Sequence, residues 1–139
     1  MRVISLPADQ TGRMDAVLQI ELKPGWITYW REPGEAGIPP KITLEPSSGA
    51  TLTSLSFPVP DLIENGEMKD IGYDRSVSLP FVLQAQPGSD EANAKLTAFI
   101  GVCLNICIPF EASFDIRKDH GQSAKPDEVE AIEAAKATL

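Results

Sequence analysis

One histidine and two cysteines, with three methionines beside them, are all the nitrogen and sulfur ligands that 139 residues offer. A four-ligand structural zinc site is hard to assemble from that set without carboxylates. A Cys-His nucleophile would need His120, in a polar stretch near the C-terminus, to reach a distant thiol, so hydrolysis of that type is set aside. Cationic charge is scarce as well. Twelve Lys and Arg stand against twenty Asp and Glu, a formal net charge of −8. That balance repels a phosphate backbone and argues against nucleic acid as a partner. Long proline-free runs are missing too: the longest is Gly88 to Ile108. Interior proline breaks helices, so an all-helical bundle is excluded. The longest stretches without a charged residue, Pro46 to Pro60 and Leu96 to Phe110, fall short of the roughly 20 apolar residues that span a bilayer. No membrane span is expected within the chain. The opening Met-Arg-Val-Ile-Ser lacks the basic start, apolar core and small-residue cleavage site of a secretory signal. A mature chain or a fragment would look the same, so targeting leaves the compartment open.

What is present is a hydrophobic content of 42%, enough for one packed core without staples. Apolar and polar residues alternate in short runs, the signature of half-buried strands. Within Asp15 to Leu22, for example, Val17, Gln19 and Glu21 alternate with Leu18, Ile20 and Leu22. Further strands are expected at Val3 to Leu6, Trp26 to Arg31, Lys41 to Leu44, Thr51 to Phe57, Val77 to Gln84, Lys95 to Val102 and Pro109 to Ile116. Pro24-Gly25, Pro33-Gly34, Pro39-Pro40, Asn65-Gly66 and Pro87-Gly88 punctuate them. Short strands without alternating helices predict an all-β fold, an antiparallel β-sandwich over residues 1–118. Residues 119–139 read as a polar linker and a short C-terminal amphipathic helix. Asp127 is its expected N-cap and Glu130 the capping-box partner, with Val129, Ile132, Ala135 and Leu139 near one face that docks on the sandwich.

Three segments concentrate chemistry. The first, Ile100-Gly101-Val102-Cys103-Leu104-Asn105-Ile106-Cys107-Ile108-Pro109, holds both cysteines. In a continuous strand they would stand roughly 13 Å apart at ~3.3 Å per residue, whereas a disulfide needs Cα atoms within about 7 Å. Pairing therefore requires a turn or a single helical turn between them, which Pro109 would close by refusing to continue a helix. So small a loop removes little entropy from the unfolded chain and is a weak staple. Exposed short-range bridges exchange readily with an attacking thiolate. Redox exchange is one reading; buried free thiols in a β-core and soft-metal binding are the others. A Cu(I) site from Cys103, Cys107 and Met68 would suit the last.

The second segment, Trp26-Ile27-Thr28-Tyr29-Trp30-Arg31, packs three of the nine aromatic residues into five positions. Strand alternation sends Trp26, Thr28 and Trp30 to one face and Ile27, Tyr29 and Arg31 to the other. Core packing would account for one set and a site for the other. The third segment, Glu64 to Asp74, reads as a long hairpin loop. Met68, Ile71 and Tyr73 stand among its charges, as in a loop folded over something.

Taken together, Gly25-Trp26 with Thr28-Tyr29-Trp30-Arg31, Pro33-Gly34 with Ala36-Gly37-Ile38-Pro39-Pro40, Ile71-Gly72-Tyr73, and Val102-Cys103 with Ile106-Cys107-Ile108-Pro109 resemble a known domain. It is the N-terminal periplasmic domain of the DsbD family of thiol:disulfide interchange proteins, in particular the branch associated with copper tolerance. The resemblance runs from about residue 3 to 116. It implies an immunoglobulin-like sandwich whose two cysteines form a reversible disulfide and whose only redox group is that bridge, with no further cofactor. It also implies a periplasmic location and a part in a protein-disulfide reductase. In such proteins this domain accepts electrons from a thioredoxin-like domain, fed through a transmembrane domain, and passes them to periplasmic partner proteins. Carried over by position, Cys103 and Cys107 are the redox pair and Tyr29 their neighbour. Glu64 to Tyr73 would be a shielding cap. Better-known members space the cysteines more widely and carry a Phe-Tyr pair in the cap, where this chain has Glu67, Met68 and Lys69. Met68 is then the substitute shield. By the same analogy Cys107 is the partner-bonding sulfur and Cys103 the resolving one, and Glu67 and Asp70 would raise a thiol pKa by like-charge repulsion.

Overall fold

A computed structural model describes residues 1–6, 11–34, 37–45, 50–65, 68–85, 93–104, 106–117 and 126–139. In chain order these form β1 (Arg2–Ser5), β2 (Arg13–Ile20), β3 (Ile27–Gly34), β4 (Lys41–Leu44), β5 (Ala50–Leu55), β6 (Asp61–Asn65), β7 (Met68–Tyr73), β8 (Val77–Ala85), β9 (Asn93–Cys103), β10 (Cys107–Arg117) and α1 (Pro126–Lys136). The strands make two sheets. One is four-stranded in the order β1-β2-β8-β5; the other runs β10-β9-β3-β7-β6, with β4 also pairing β9. Every pairing is antiparallel. The expected all-β sandwich is therefore what forms.

The two-residue period assigns the core. Met14, Ala16, Leu18 and Ile20 of β2 and Val77, Leu79, Phe81 and Leu83 of β8 meet Ala94, Leu96, Ala98 and Ile100 of β9 in one cluster. Burying each larger side chain contributes about 1.5–3 kcal/mol. Pro80 sits inside the four-stranded sheet, where proline is usually excluded. Its carbonyl accepts from Ser56 N–H at 2.8 Å, just past the last β5 pairing at Leu55. The missing N–H thus faces the side where the β5 ladder has ended.

Eight expected strands fall close to observed ones, and Lys41–Leu44 matches end for end. The segment read as a loop does not. Asp61–Asn65 and Met68–Tyr73 pair as strands β6 and β7, and β7 pairs with β3 through Thr28↔Tyr73 and Tyr29↔Gly72. Its charges conceal it. Asp70 is buried, and the approach of β7 to β3 is so close that a Cβ on Gly72 would collide with the Thr28 carbonyl oxygen.

The tail helix starts at Pro126, a residue suited to a first helical position because its missing N–H has no partner to lose there. Asp127 therefore lies inside the first turn with Glu128 rather than capping it, and favours the positive end of the helix dipole. Ile132 and Ala135 are buried against Val17, with Ile4 and Leu6 packed beside them. The helix explains why Val17 is apolar on the polar face of β2. Val129 is half-buried, while Leu139 is exposed and off the packed face. Among the described residues no helix is long and apolar enough to cross a membrane.

Candidate functional site: a cross-strand disulfide at a hairpin apex

β9 and β10 pair over their full length, and the register brings Cys107 directly opposite Cys103. The turn demanded by the cysteine spacing is thus a hairpin connection of three residues, with Leu104 N–H donating to the Ile106 carbonyl at 3.1 Å. The Cα atoms stand 4.1 Å apart and the sulfurs are bonded. Pro109 does not terminate a helix here. It lies opposite Gly101 on β10, an edge strand, where proline is tolerated. The two cysteines differ in exposure: Cys103 is 5% exposed, and Cys107 is exposed.

Tyr29 is brought to this bridge by a chain of local causes. Pro24-Gly25 makes a turn closed by Trp26 N–H donating to the Lys23 carbonyl at 3.0 Å, with Gly25 at φ 86° where only glycine is at ease. β3 then pairs Ile27 with Cys103 and Thr28 with Val102, and Thr28 Oγ1 donates to the Gly101 carbonyl at 2.8 Å. Thr28 and Trp30 turn to the core, as alternation predicts, and Trp26 lines a groove at its open end. Tyr29 falls on the disulfide face. Its hydroxyl donates to Cys103 Sγ at 3.1 Å and lies 3.9 Å from Cys107 Sγ.

The segment after β3 covers this tyrosine. A Cβ on Gly37 would stand 2.7 Å from the ring carbon Cδ1 of Tyr29, and one on Gly101 would stand 2.6 Å from Ile38 Cβ. Gly37 therefore rests on the tyrosine ring and Ile38 on β9 beside Cys103. Burial pushes the Tyr29 phenol above its ordinary range, and the charge of Asp70 adds to the effect.

On the other side the bridge is rimmed with apolar surface. Leu104, Ile106, Ile108 and Phe110 are 49%, 68%, 40% and 46% exposed. Ile108 and Phe110 continue into a groove of about 340 Å³ with Trp26, Leu22 and Val102 among its walls.

The structure thus brings Cys103, Cys107 and Tyr29 together, with Asp70 close enough for its charge to act on Tyr29. Tyr73 is not with them. It occupies the opposite face of β7, fully buried in the core, and donates to the Pro58 carbonyl at 2.7 Å. Met68 is placed at the start of β7 opposite Asn65, but its side chain, like Glu67 and His120, lies outside the described residues. Among the described residues no three His, Cys, Asp or Glu side chains gather as a metal site. The sulfurs are bonded to each other, so Cu(I) ligation by thiolates belongs to the reduced protein alone. Sequence reasoning did not assign Gly37, Ile38 or the apolar rim to the site. Ile106 and Ile108, either side of Cys107 with no charged residue near, were its available signal.

The family model for the N-terminal domain of the thiol:disulfide interchange protein DsbD matches residues 2–118. The chain belongs to this family. The crystal structure of the N-terminal periplasmic domain of ScsB from Proteus mirabilis is similar at a TM-score of 0.79 and 26% identity. The match covers 99% of this chain and 52% of that one, so the chain spans about half the length of its relative. The reduced DsbD N-terminal domain of Neisseria meningitidis aligns at a TM-score of 0.55 and 16% identity, covering 85% of this chain and 86% of that one. At that identity the likeness concerns the fold, an immunoglobulin-like sandwich. A search of curated proteins found no match. The chain is thus a DsbD N-terminal domain that carries a bonded cysteine pair.

Proposed function

We propose that this DsbD N-terminal domain relays reducing equivalents from a thioredoxin-like donor to periplasmic thiol-disulfide proteins through reversible opening of Cys103–Cys107. The observation that supports the reading is the asymmetry of the bridge: one cysteine exposed on an apolar apex, the other buried with its sulfur bonded by Tyr29. Exchange begins when a thiolate attacks an accessible sulfur. Cys107 is the sulfur an incoming chain can reach, and Cys103 is the one released. Exposed apolar surface beside a reactive group marks a place where partners bind, and Leu104, Ile106, Ile108 and Phe110 offer it. An oxidising compartment is where such a bridge persists, which supports a periplasmic location. The sandwich over residues 1–118 is the exchange unit, α1 packs against it at Val17, and a membrane domain elsewhere in the full-length protein tethers it in that compartment.

Mixed-disulfide trapping tests the reading. With a reduced thioredoxin-like donor, wild-type protein is expected to gain two titratable thiols per chain. Offered a donor activated as a mixed disulfide on its nucleophilic cysteine, Cys103→Ser should displace the activating thiol and accumulate a covalent donor adduct through Cys107, and Cys107→Ser should not. A bridge that no such donor opens, or adducts formed only through Cys103, overturns it.

A further inference from the structure

We propose that Tyr29 is a catalytic residue of the exchange: its hydroxyl donates to the Cys103 sulfur and stabilises the thiolate that forms there when the bridge opens. The inference rests on the interchange reading and adds a named group to it.

Three observations converge. First, the buried Tyr29 hydroxyl directs its hydrogen bonds at the two cysteine sulfurs and at no other group among the described residues. A bonded or neutral sulfur is a weak acceptor. A buried hydroxyl aimed at a poor acceptor gains most when that acceptor becomes charged, because hydrogen bonds to ionised groups are about twice as strong. Second, the donor is closer to the buried sulfur than to the exposed one, 3.1 Å against 3.9 Å. Cys103, at 5% exposure, has little water to solvate a developing charge, so a protein donor must replace it. Third, the hydroxyl is held in place. Thr28 locks β3 to β9 at Gly101, Tyr29 pairs with Gly72 on the other side, and Gly37 closes over the ring. Such a donor needs no reorganisation when charge appears.

The step balances as follows. A thiolate of the dithiol donor attacks Cys107 Sγ. The Cys103–Cys107 bond breaks and its electron pair leaves on Cys103 Sγ, which accepts the Tyr29 O–H. The donor's second thiolate then attacks the donor sulfur of the mixed disulfide and expels Cys107 as thiolate. Two electrons have moved from the donor, now a disulfide, to the domain, and the two donor protons end on Cys103 and Cys107 through solvent. The buried charge of Asp70 works with this arrangement, since it favours the protonated phenol, the only form that can donate.

The test is Tyr29→Phe, which keeps the ring under Gly37 and removes the donor. A hydrogen bond to a charged group is worth about ten- to hundred-fold in an equilibrium constant. In a Cys107→Ser background, the Cys103 thiolate fraction at a fixed pH, read by absorbance near 240 nm, should therefore fall about ten-fold or more when Tyr29 becomes Phe. Leaving-group effects express about half of such a change on a logarithmic scale. Reduction of the oxidised protein by dithiothreitol should then slow about three- to ten-fold. Unchanged Cys103 acidity together with an unchanged dithiothreitol rate overturns the proposal. A purely structural role for the hydroxyl would lower the melting temperature and leave Cys103 acidity where it was, which also overturns it. Dithiothreitol needs no docking surface, so this outcome is independent of whether a thioredoxin-like protein is the donor.

Discussion

At the scale of single residues the site depends on contacts that leave no room for a methyl group. Gly37→Ala places a Cβ against both the Tyr29 ring and the Pro33 carbonyl oxygen. Overpacking of this kind typically costs about 1–3 kcal/mol. The expected outcome is a lower urea midpoint together with a bridge more accessible to dithiothreitol, measured by thiol release. The two tyrosines give a second prediction. Burial, then the Asp61 charge, push the Tyr73 phenol up to about 12 against the opposing pull of Arg31 and Arg75, and Tyr29 is raised as well. Both are neutral in the folded state at a pH where an unfolded chain has begun to ionise near 10. The Tyr73 contribution to stability is therefore intact below about pH 10 and is lost as pH rises toward 12, and that of Tyr29 runs in the same direction. Absorbance at 295 nm should show little tyrosinate at pH 10 in the native protein and about half ionisation in urea. Tyr73→Phe should flatten the fall in stability above pH 10. The placement of Tyr29 on the face opposite Trp26, Thr28 and Trp30 was legible, because strand alternation alone decides it. The opposite fate of Tyr73 was not, since its face depends on its pairing with Thr28, a contact forty-five residues away in sequence.

Among the elements, those with a clean two-residue period could be read directly, as in β2, β8 and β9. The β6–β7 hairpin could not, because Asp70 and Gly72 are buried there for reasons of register and close approach rather than apolarity. Only its Asn65-Gly66 turn signal was visible. The helix was legible from its composition, but its start was displaced by Pro126, whose suitability for a first helical position outweighed Asp127 as a cap. Its attachment includes Ala135 and two larger side chains. Ile132 is 1% exposed against Val17, and Lys136 lies 3.9 Å from Asp15. Ile132→Ala should cost roughly 2–5 kcal/mol, whereas Lys136→Ala, which removes a partly exposed ion pair, should cost under about 1 kcal/mol. Urea denaturation of the two variants checks both figures. If α1 is a support for the sandwich, Ile132→Ala should leave the dithiothreitol rate of the folded protein unchanged.

For the molecule as a whole, the core is large and the bridge closes a loop of only a few residues. In the loop-entropy picture such a bridge contributes at most about 2 kcal/mol. Reduced protein should therefore stay folded, with a urea midpoint lowered by no more than that amount and with the far-UV circular dichroism of the oxidised form. Collapse on reduction would show the bridge to be a staple after all. The sequence placed the two cysteines four positions apart but could not choose among a switch, buried thiols and a metal pair. What sets the two cysteines apart is long-range: the β9–β10 register that leaves Cys107 exposed and Cys103 buried, and the β3 pairing that brings Tyr29 to Cys103.

That register has a kinetic consequence. Cys103 and Cys107 face each other because eleven residues of β10 pair with eleven of β9, so their distance is set by the ladder before any covalent bond is made. Since the ladder does not depend on the bond, reduced protein is expected to keep the oxidised backbone, which amide chemical shifts of the two forms along β9 and β10 would check. A relay built on this bridge would then carry almost no mechanical stroke, and its barrier would lie in the encounter of sulfurs rather than in a rearrangement of the domain.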